Sequence, residues 1–237
     1  MDKGKSWETI INKLSDFEIQ KGITSFVNPH SMLMLKDCDW LAQQVDYWYV
    51  DGISLVRLIQ LLFKKKISRY SFDDTSLASI VFKNVASKKE RIAIIGTEPD
   101  LIKRSVQFIE ERYALSISYY RDGFIGNEDE LQETINLLID KKIEVVICGM
   151  GTPNQEEFLV KLKNAGWDGY GYTCGGYLHQ IAKKQKNYYP VIFDKLNLRW
   201  FYRILNEPKL IRRYLINYPK FLSEIIVFSL IKEDKID

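Results

Sequence analysis

The string Gly149-Met150-Gly151-Thr152-Pro153-Asn154-Gln155-Glu156 carries the densest chemistry in the chain. Glycines let a backbone come close to a ligand. Pro153 suits the first turn of a helix, whose free N–H groups can receive an anion such as a diphosphate. Gln155 can donate and accept hydrogen bonds. The same string would also serve as a strand-to-helix turn with no ligand. It is not a dinucleotide fingerprint, because G-x-G-x-x-G needs a glycine where Asn154 stands. Asp51-Gly52 offers a carboxylate able to take a proton, or simply a turn aspartate before glycine. Asn28-Pro29 offers an amide, or an Asx turn. Gly175-Gly176 is followed by His179 and Gln180. Between Lys195 and Lys220 the residues Arg199, Arg203, Lys209, Arg212 and Arg213 face a single acid, Glu207. Such a local excess attracts phosphates or an anionic membrane. Arg199 and Arg203 would share a helical face at i,i+4.

These residues need a scaffold, and the hydrophobic pattern describes one. Trp7, Ile10, Ile11, Leu14 and Phe17 lie at helical spacing, and Gly22 ends that pattern. Strands are expected at Ile23–Val27, Val45–Val50, Arg91–Ile95, Leu115–Tyr120, Glu144–Cys148 and Trp167–Cys174. Helices are expected from Ser31, over Ile53–Phe63, and around Ile102–Tyr113, Leu131–Ile139 and Phe158–Leu162. Strands alternating with helices imply an α/β fold, Rossmann-like, with a mostly parallel sheet covered by helices on both faces. Asp51, Gly96, Gly149–Gln155 and Gly175-Gly176 all fall at strand carboxyl ends, where ligands of such sheets sit. After Pro190 no strand is evident. The expected division is therefore a core over 1–190 and a basic, aromatic helical appendage over 191–237, built of two or three short helices.

Composition bounds the rest. The 237 residues are 46% hydrophobic and 27% charged with a net charge of +3, which suits a folded core and gives no general attraction to nucleic acid. Cys38, Cys148 and Cys174 form no C-x-x-C pair, so neither a disulfide framework nor a structural zinc site is expected. The D-x-D string Asp37-Cys38-Asp39 follows no expected strand, so no metal site is assigned. No apolar run approaches the ~20 residues that span a bilayer, the run Ile225–Ile231 being too short, so a soluble or peripheral protein is expected. Tyr218–Ile231 could lie on a membrane surface or pack on a second subunit as a homo-oligomer.

Gly149-x-Gly151-x-Pro153-x-Gln155-Glu156 resembles the G-x-G-x-P-x-Q-E signature of the WecG/TagA/CpsF family, glycosyltransferase family 26. Asn28-Pro29, Asp51-Gly52, Gly175-Gly176, Trp200-Phe-Tyr-Arg203, and Glu207-Pro208 followed by Arg212-Arg213-Tyr214 resemble further family motifs in the same order. The match runs from about Gly22 to Phe221.

The resemblance implies inverting transfer of a sugar from a UDP-sugar to an undecaprenyl-diphosphate-linked saccharide, without metal or other cofactor. It implies work at the cytoplasmic face of the cell membrane, in capsular, exopolysaccharide or teichoic acid synthesis. Asp51 would be the base. Asn28 and Gln155 would hold sugar or nucleotide, and Gly149, Gly151, Gly175 and Gly176 would let the nucleotide approach. Arg203, Arg212 and Arg213 would hold the diphosphate once the appendage closes. The sequence departs from the family pattern at Phe26, where Thr is frequent, and at His179, where Asp is frequent; His179 could touch a diphosphate oxygen or the uracil edge. Two other classes compete. A nicotinamide-dependent reductase shares the alternation but not the fingerprint, and a non-catalytic accessory subunit of another glycosyltransferase shares the motifs.

Overall fold

The computed structural model of the chain describes residues 4–183 and 209–233. Six strands, β1 (Gly22–Val27), β2 (Tyr47–Val50), β3 (Ile92–Gly96), β4 (Ile117–Arg121), β5 (Val145–Gly149) and β6 (Tyr170–Thr173), form one sheet. Its order is β2-β1-β6-β5-β3-β4, and every neighbouring pair is parallel. Alternate residues of each strand enter opposite cores. Trp48, Val50, Ala93, Ile95, Val146 and Cys148 enter one, while Tyr49, Ile92, Ile94, Val145, Ile147 and Tyr172 enter the other. Burial of both faces is why these strands read as unbroken apolar runs.

The first face is covered by α1 (Lys5–Lys13), α2 (Pro29–Met34), α3 (Asp39–Gln44), α4 (Ile53–Phe63), α7 (Glu128–Asp140) and α8 (Asn154–Asn164). The second is covered by α5 (Leu77–Lys88), α6 (Pro99–Tyr113) and α9 (Tyr177–Lys183). Helix α1 stops earlier than its apolar spacing suggests. Leu14 turns extended (φ −61°, ψ 131°) and bridges to Trp48, which frees Phe17 to pack on Tyr49 and Tyr70. Helices α3, α5 and α9 are additions to the expected set. The spacing of Leu77, Val81 and Val85 in α5 was legible; α3 and α9 are too short for a clear period.

The chain resumes with α10 (Lys209–Arg212), a π-helical turn (Arg213–Asn217) and α11 (Tyr218–Glu233). The expected boundary at residue 190, and Arg199 and Arg203, lie outside the described residues. Among the described residues of this segment, 209–233 form one continuous helical run. It packs on α2 and α4. Phe221 and Ile225 are buried in the first core, Phe221 and Phe228 set their ring edges against Trp7 at 5.3 and 5.9 Å, and Lys36 pairs with Glu224 at 2.6 Å. The other side is apolar and exposed through Leu222, Ile226, Val227, Leu230 and Ile231. Arg213–Ile231 spans 19 residues with mean hydropathy 1.2 and is 17% buried, which by length and composition is enough to cross a membrane. Lys220 and Glu224 interrupt the apolar run without ending the helix, and Phe221 and Ile225 hold one side of it on the core, so the helix is no clear membrane span.

Candidate active site

The strand carboxyl ends open into one cleft of about 2250 Å³. A site for one small ligand takes about 300–1,000 Å³, so there is room for two substrates. Asn28, Asp51, Gly149, Gly151, Gln155, Gly175, Gly176, His179 and Arg213 all line it. Arg212 is exposed and lies outside it, and Arg203 is outside the described residues.

Asn28 follows β1 and caps α2. Its Oδ1 accepts from the backbone N–H groups of His30 (3.0 Å) and Ser31 (3.1 Å), and Ser31 Oγ accepts from the Asn28 N–H. The cap uses the oxygen and leaves the amide Nδ2 for a ligand, so the Asx turn and the binding role coexist.

Asp51 follows β2 on an open edge of the cleft, its side chain 42% exposed. Gly52 behind it takes φ +115°, a conformation that favours glycine, and turns the chain into α4. The segment after α4 returns along β2, with Val50 bridging to Arg69. Arg69 Nη2 thereby reaches Asp51 Oδ1 (3.4 Å), Ser71 Oγ (2.8 Å) and Asp73 Oδ2 (3.4 Å). Burial pushes the Asp73 carboxyl up, but hydrogen bonds from Ser71 and Thr75 and the Arg69 charge outweigh it and hold the group below its ordinary value. Arg69 is absent from the sequence-based set. It lies eighteen residues beyond Asp51 in a stretch without periodicity.

Beneath the cleft floor lies Glu156, fully buried. Its Oε1 accepts from Ser25 Oγ (2.7 Å), Gln155 Nε2 (3.0 Å) and Thr152 Oγ1 (3.2 Å), and Thr173 Oγ1 donates to Ser25 in turn. Gln155 Oε1 accepts from the Gly175 N–H at 3.2 Å. One carboxyl thus ties the ends of β1, β5 and β6 together. Burial raises its pKa, opposed by the hydrogen bonds from Ser25 and Gln155. Gly149 is glycine for packing: a Cβ there would stand 2.8 Å from Cys174 Sγ. Gly151, at φ +79°, has open space before it and is free for a ligand.

Cys148 and Cys174 are buried, and burial pushes both thiols up, Cys174 to about 12, so neither is a thiolate nucleophile. Among the described residues no group of three or more His, Cys, Asp or Glu side chains could hold a metal ion. Arg213, Tyr214, Leu215 and Tyr218 form the appendage side of the cleft. The arrangement offers a carboxylate beside an open space, Arg69 against that carboxylate, Arg213 in the same cleft, and a glycine-rich lining. It suits proton removal from a hydroxyl next to an anionic leaving group.

A family model described as "Glycosyl transferase WecG/TagA/CpsF family" matches residues 3–235. The chain is 35% identical over 223 residues to a UDP-Gal:alpha-D-GlcNAc-diphosphoundecaprenol beta-1,4-galactosyltransferase of Shigella boydii, covering 94% of this chain and 93% of the relative. It is 24% identical over 206 residues to an N-acetylglucosaminyldiphosphoundecaprenol N-acetyl-beta-D-mannosaminyltransferase of Bacillus spizizenii, covering 86% and 75%.

Proposed function

The chain belongs to the WecG/TagA/CpsF family of glycosyltransferases, and from that premise we propose that it moves a sugar, with inversion, from a UDP-sugar onto an undecaprenyl-diphosphate-linked saccharide in cell-surface polysaccharide synthesis. The observation that carries this reading is the convergence of Asp51, Arg69, Gly151, Gly175 and Arg213 on one cleft. The Asp51 carboxylate takes the proton of the acceptor hydroxyl as that oxygen attacks the anomeric carbon. The bond from that carbon to the β-phosphate oxygen breaks, and UDP departs with the electron pair. Arg213, together with Arg203, neutralises the leaving charge in place of a metal, and Arg69 holds Asp51 at the reacting face. Asn28 Nδ2 and Gln155 position sugar or nucleotide, and His179 lies on the nucleotide side with Gly176.

Both relatives are named for a diphosphoundecaprenol-linked GlcNAc acceptor, and the more similar one for UDP-galactose. UDP-galactose with a short-chain GlcNAc-diphosphate lipid is therefore the first pair to assay. The exposed apolar side of α11 supports a peripheral position on the membrane that holds such a lipid, while Phe221, Ile225 and the Lys36–Glu224 pair keep the helix on the core. The deciding experiment is Asp51→Asn. UDP binding should persist, and turnover measured by UDP release should fall about 100-fold or more, the scale of a lost general base. Turnover close to wild type would remove Asp51 from this role, and a wild-type protein that releases no UDP from any donor would favour an accessory subunit instead.

A further inference from the structure

His30 has no part in the chemistry above, yet it stands where the appendage meets the cleft. It sits on α2 two residues after Asn28, half-buried, lining both the main cleft and a side cavity of about 300 Å³ shared with Lys36, Asn217, Lys220 and Glu224. Its backbone N–H is held by Asn28 Oδ1 at 3.0 Å, so the helix cap that orients Asn28 also sets the place of the His30 ring. The Nδ1 atom lies 2.9 Å from Nδ2 of Asn217, in the π-helical turn of the appendage. An amide NH₂ only donates, so Nδ1 must present its lone pair, and a neutral ring must carry its proton on Nε2. Burial first, and then the nearby Arg213 charge, push the imidazole down to about 4, so the ring is neutral at physiological pH. Among the described residues Nε2 has no hydrogen-bond partner.

We propose that His30 donates its Nε2–H to a diphosphate oxygen bound in the cleft beside Arg213, and that Asn217 selects this tautomer only while the appendage is docked. The ligand chemistry rests on the glycosyl-transfer reading, in which both substrates carry a diphosphate; the tautomer does not. A neutral donor suits this position. It adds a hydrogen bond beside the guanidinium without adding a second positive charge against it. Docking of α11 through Phe221, Ile225 and Lys36–Glu224 would thus be read at the active site as a proton placed on one particular nitrogen.

The chain has two histidines, so ¹⁵N-imidazole spectra of the wild type and of His179→Gln assign His30 directly. The expected spectrum at neutral pH is a neutral ring protonated on Nε2; a ring protonated on Nδ1, or charged, overturns the proposal. UDP and a short-chain GlcNAc-diphosphate lipid are then titrated separately. A shift of the Nε2 signal with UDP places the contact at the nucleotide, and a shift with the lipid alone places it at the acceptor. A shift with neither overturns it. In the assay His30→Phe should raise KM for that same substrate roughly 10-fold or more, the scale of one hydrogen bond to a charged group, and His30→Gln, which keeps an N–H near Nε2, should restore most of it. Asn217→Ala should leave mixed tautomers and weaken the same substrate. Unchanged KM values in His30→Phe would also end the proposal. If wild-type protein released no UDP from any donor while UDP still shifted Nε2, the transfer reading would fall and the His30 site would stand.

Discussion

At the scale of residues, Glu156 shows most clearly how burial decides chemistry. Its side chain is enclosed, three donors converge on Oε1, and Oε2 has no partner among the described residues. A raised folded pKa means that the native state keeps a proton the unfolded chain releases. The stability this gives is complete below the ordinary value of 4.5 and declines as pH rises through the folded value. Glu156→Gln keeps the shape and has no proton to lose. Its Tm should therefore decline less than that of the wild type as pH rises above 4.5, and parallel curves would mean that Glu156 is ionised in the fold. Glu156→Ala should cost about 1–3 kcal/mol, because Ser25, Thr152 and Gln155 lose their shared acceptor. A second expectation at this scale concerns metal. Arginine charge at the leaving group predicts that UDP release survives EDTA. Complete loss, restored by Mg²⁺ or Mn²⁺, would contradict it.

At the scale of elements, the site depends on strand ends that approach more closely than side chains allow. Gly96 ends β3 at φ +144°, and a Cβ there would lie 2.5 Å from the Gly149 carbonyl oxygen at the end of β5. Gly96→Ala must strain its own backbone and push β3 and β5 apart. We expect a loss of more than about 1 kcal/mol in urea unfolding, together with lower turnover, because the loop Gly149–Gly151 moves with β5. A variant with wild-type midpoint and turnover would show that these strand ends are less constrained than the geometry states. The same logic joins β1 to α2, where one Asn28 side chain both caps the helix and faces the cleft.

At the scale of the whole molecule, the C-terminal helix belongs to two environments. One side shares a core with Trp7, so the appendage is an integral part of the first face of the sheet. The other side leaves Leu222, Ile226 and Leu230 exposed at i,i+4 spacing. A soluble fold seldom leaves so continuous an apolar strip without a use. Replacing these three with Ser should abolish co-sedimentation with anionic liposomes while leaving UDP binding intact, since none of them lines the cleft. Retained sedimentation would direct attention to the basic residues instead, whose attraction of about 1 kcal/mol each would be lost at high salt.

From the sequence alone, the alternation of apolar strands and amphipathic helices determined a parallel, doubly covered sheet, and with it the carboxyl-end positions of Asp51, Gly149–Gln155 and Gly175-Gly176. Those features are local: a period of two or of 3.6 and a glycine at a strand end are written within a few neighbouring residues. Only the tertiary structure decided that Arg69 meets Asp51, because their contact requires the segment after α4 to return along β2. It alone decided that Glu156 is enclosed, that Arg213 lines the cleft while Arg212 does not, and that Asn217 reaches His30 across 187 positions of chain. Burial, ion pairing and tautomer depend on what surrounds a side chain in space. That surrounding is assembled from segments whose sequence separation carries no trace of their proximity.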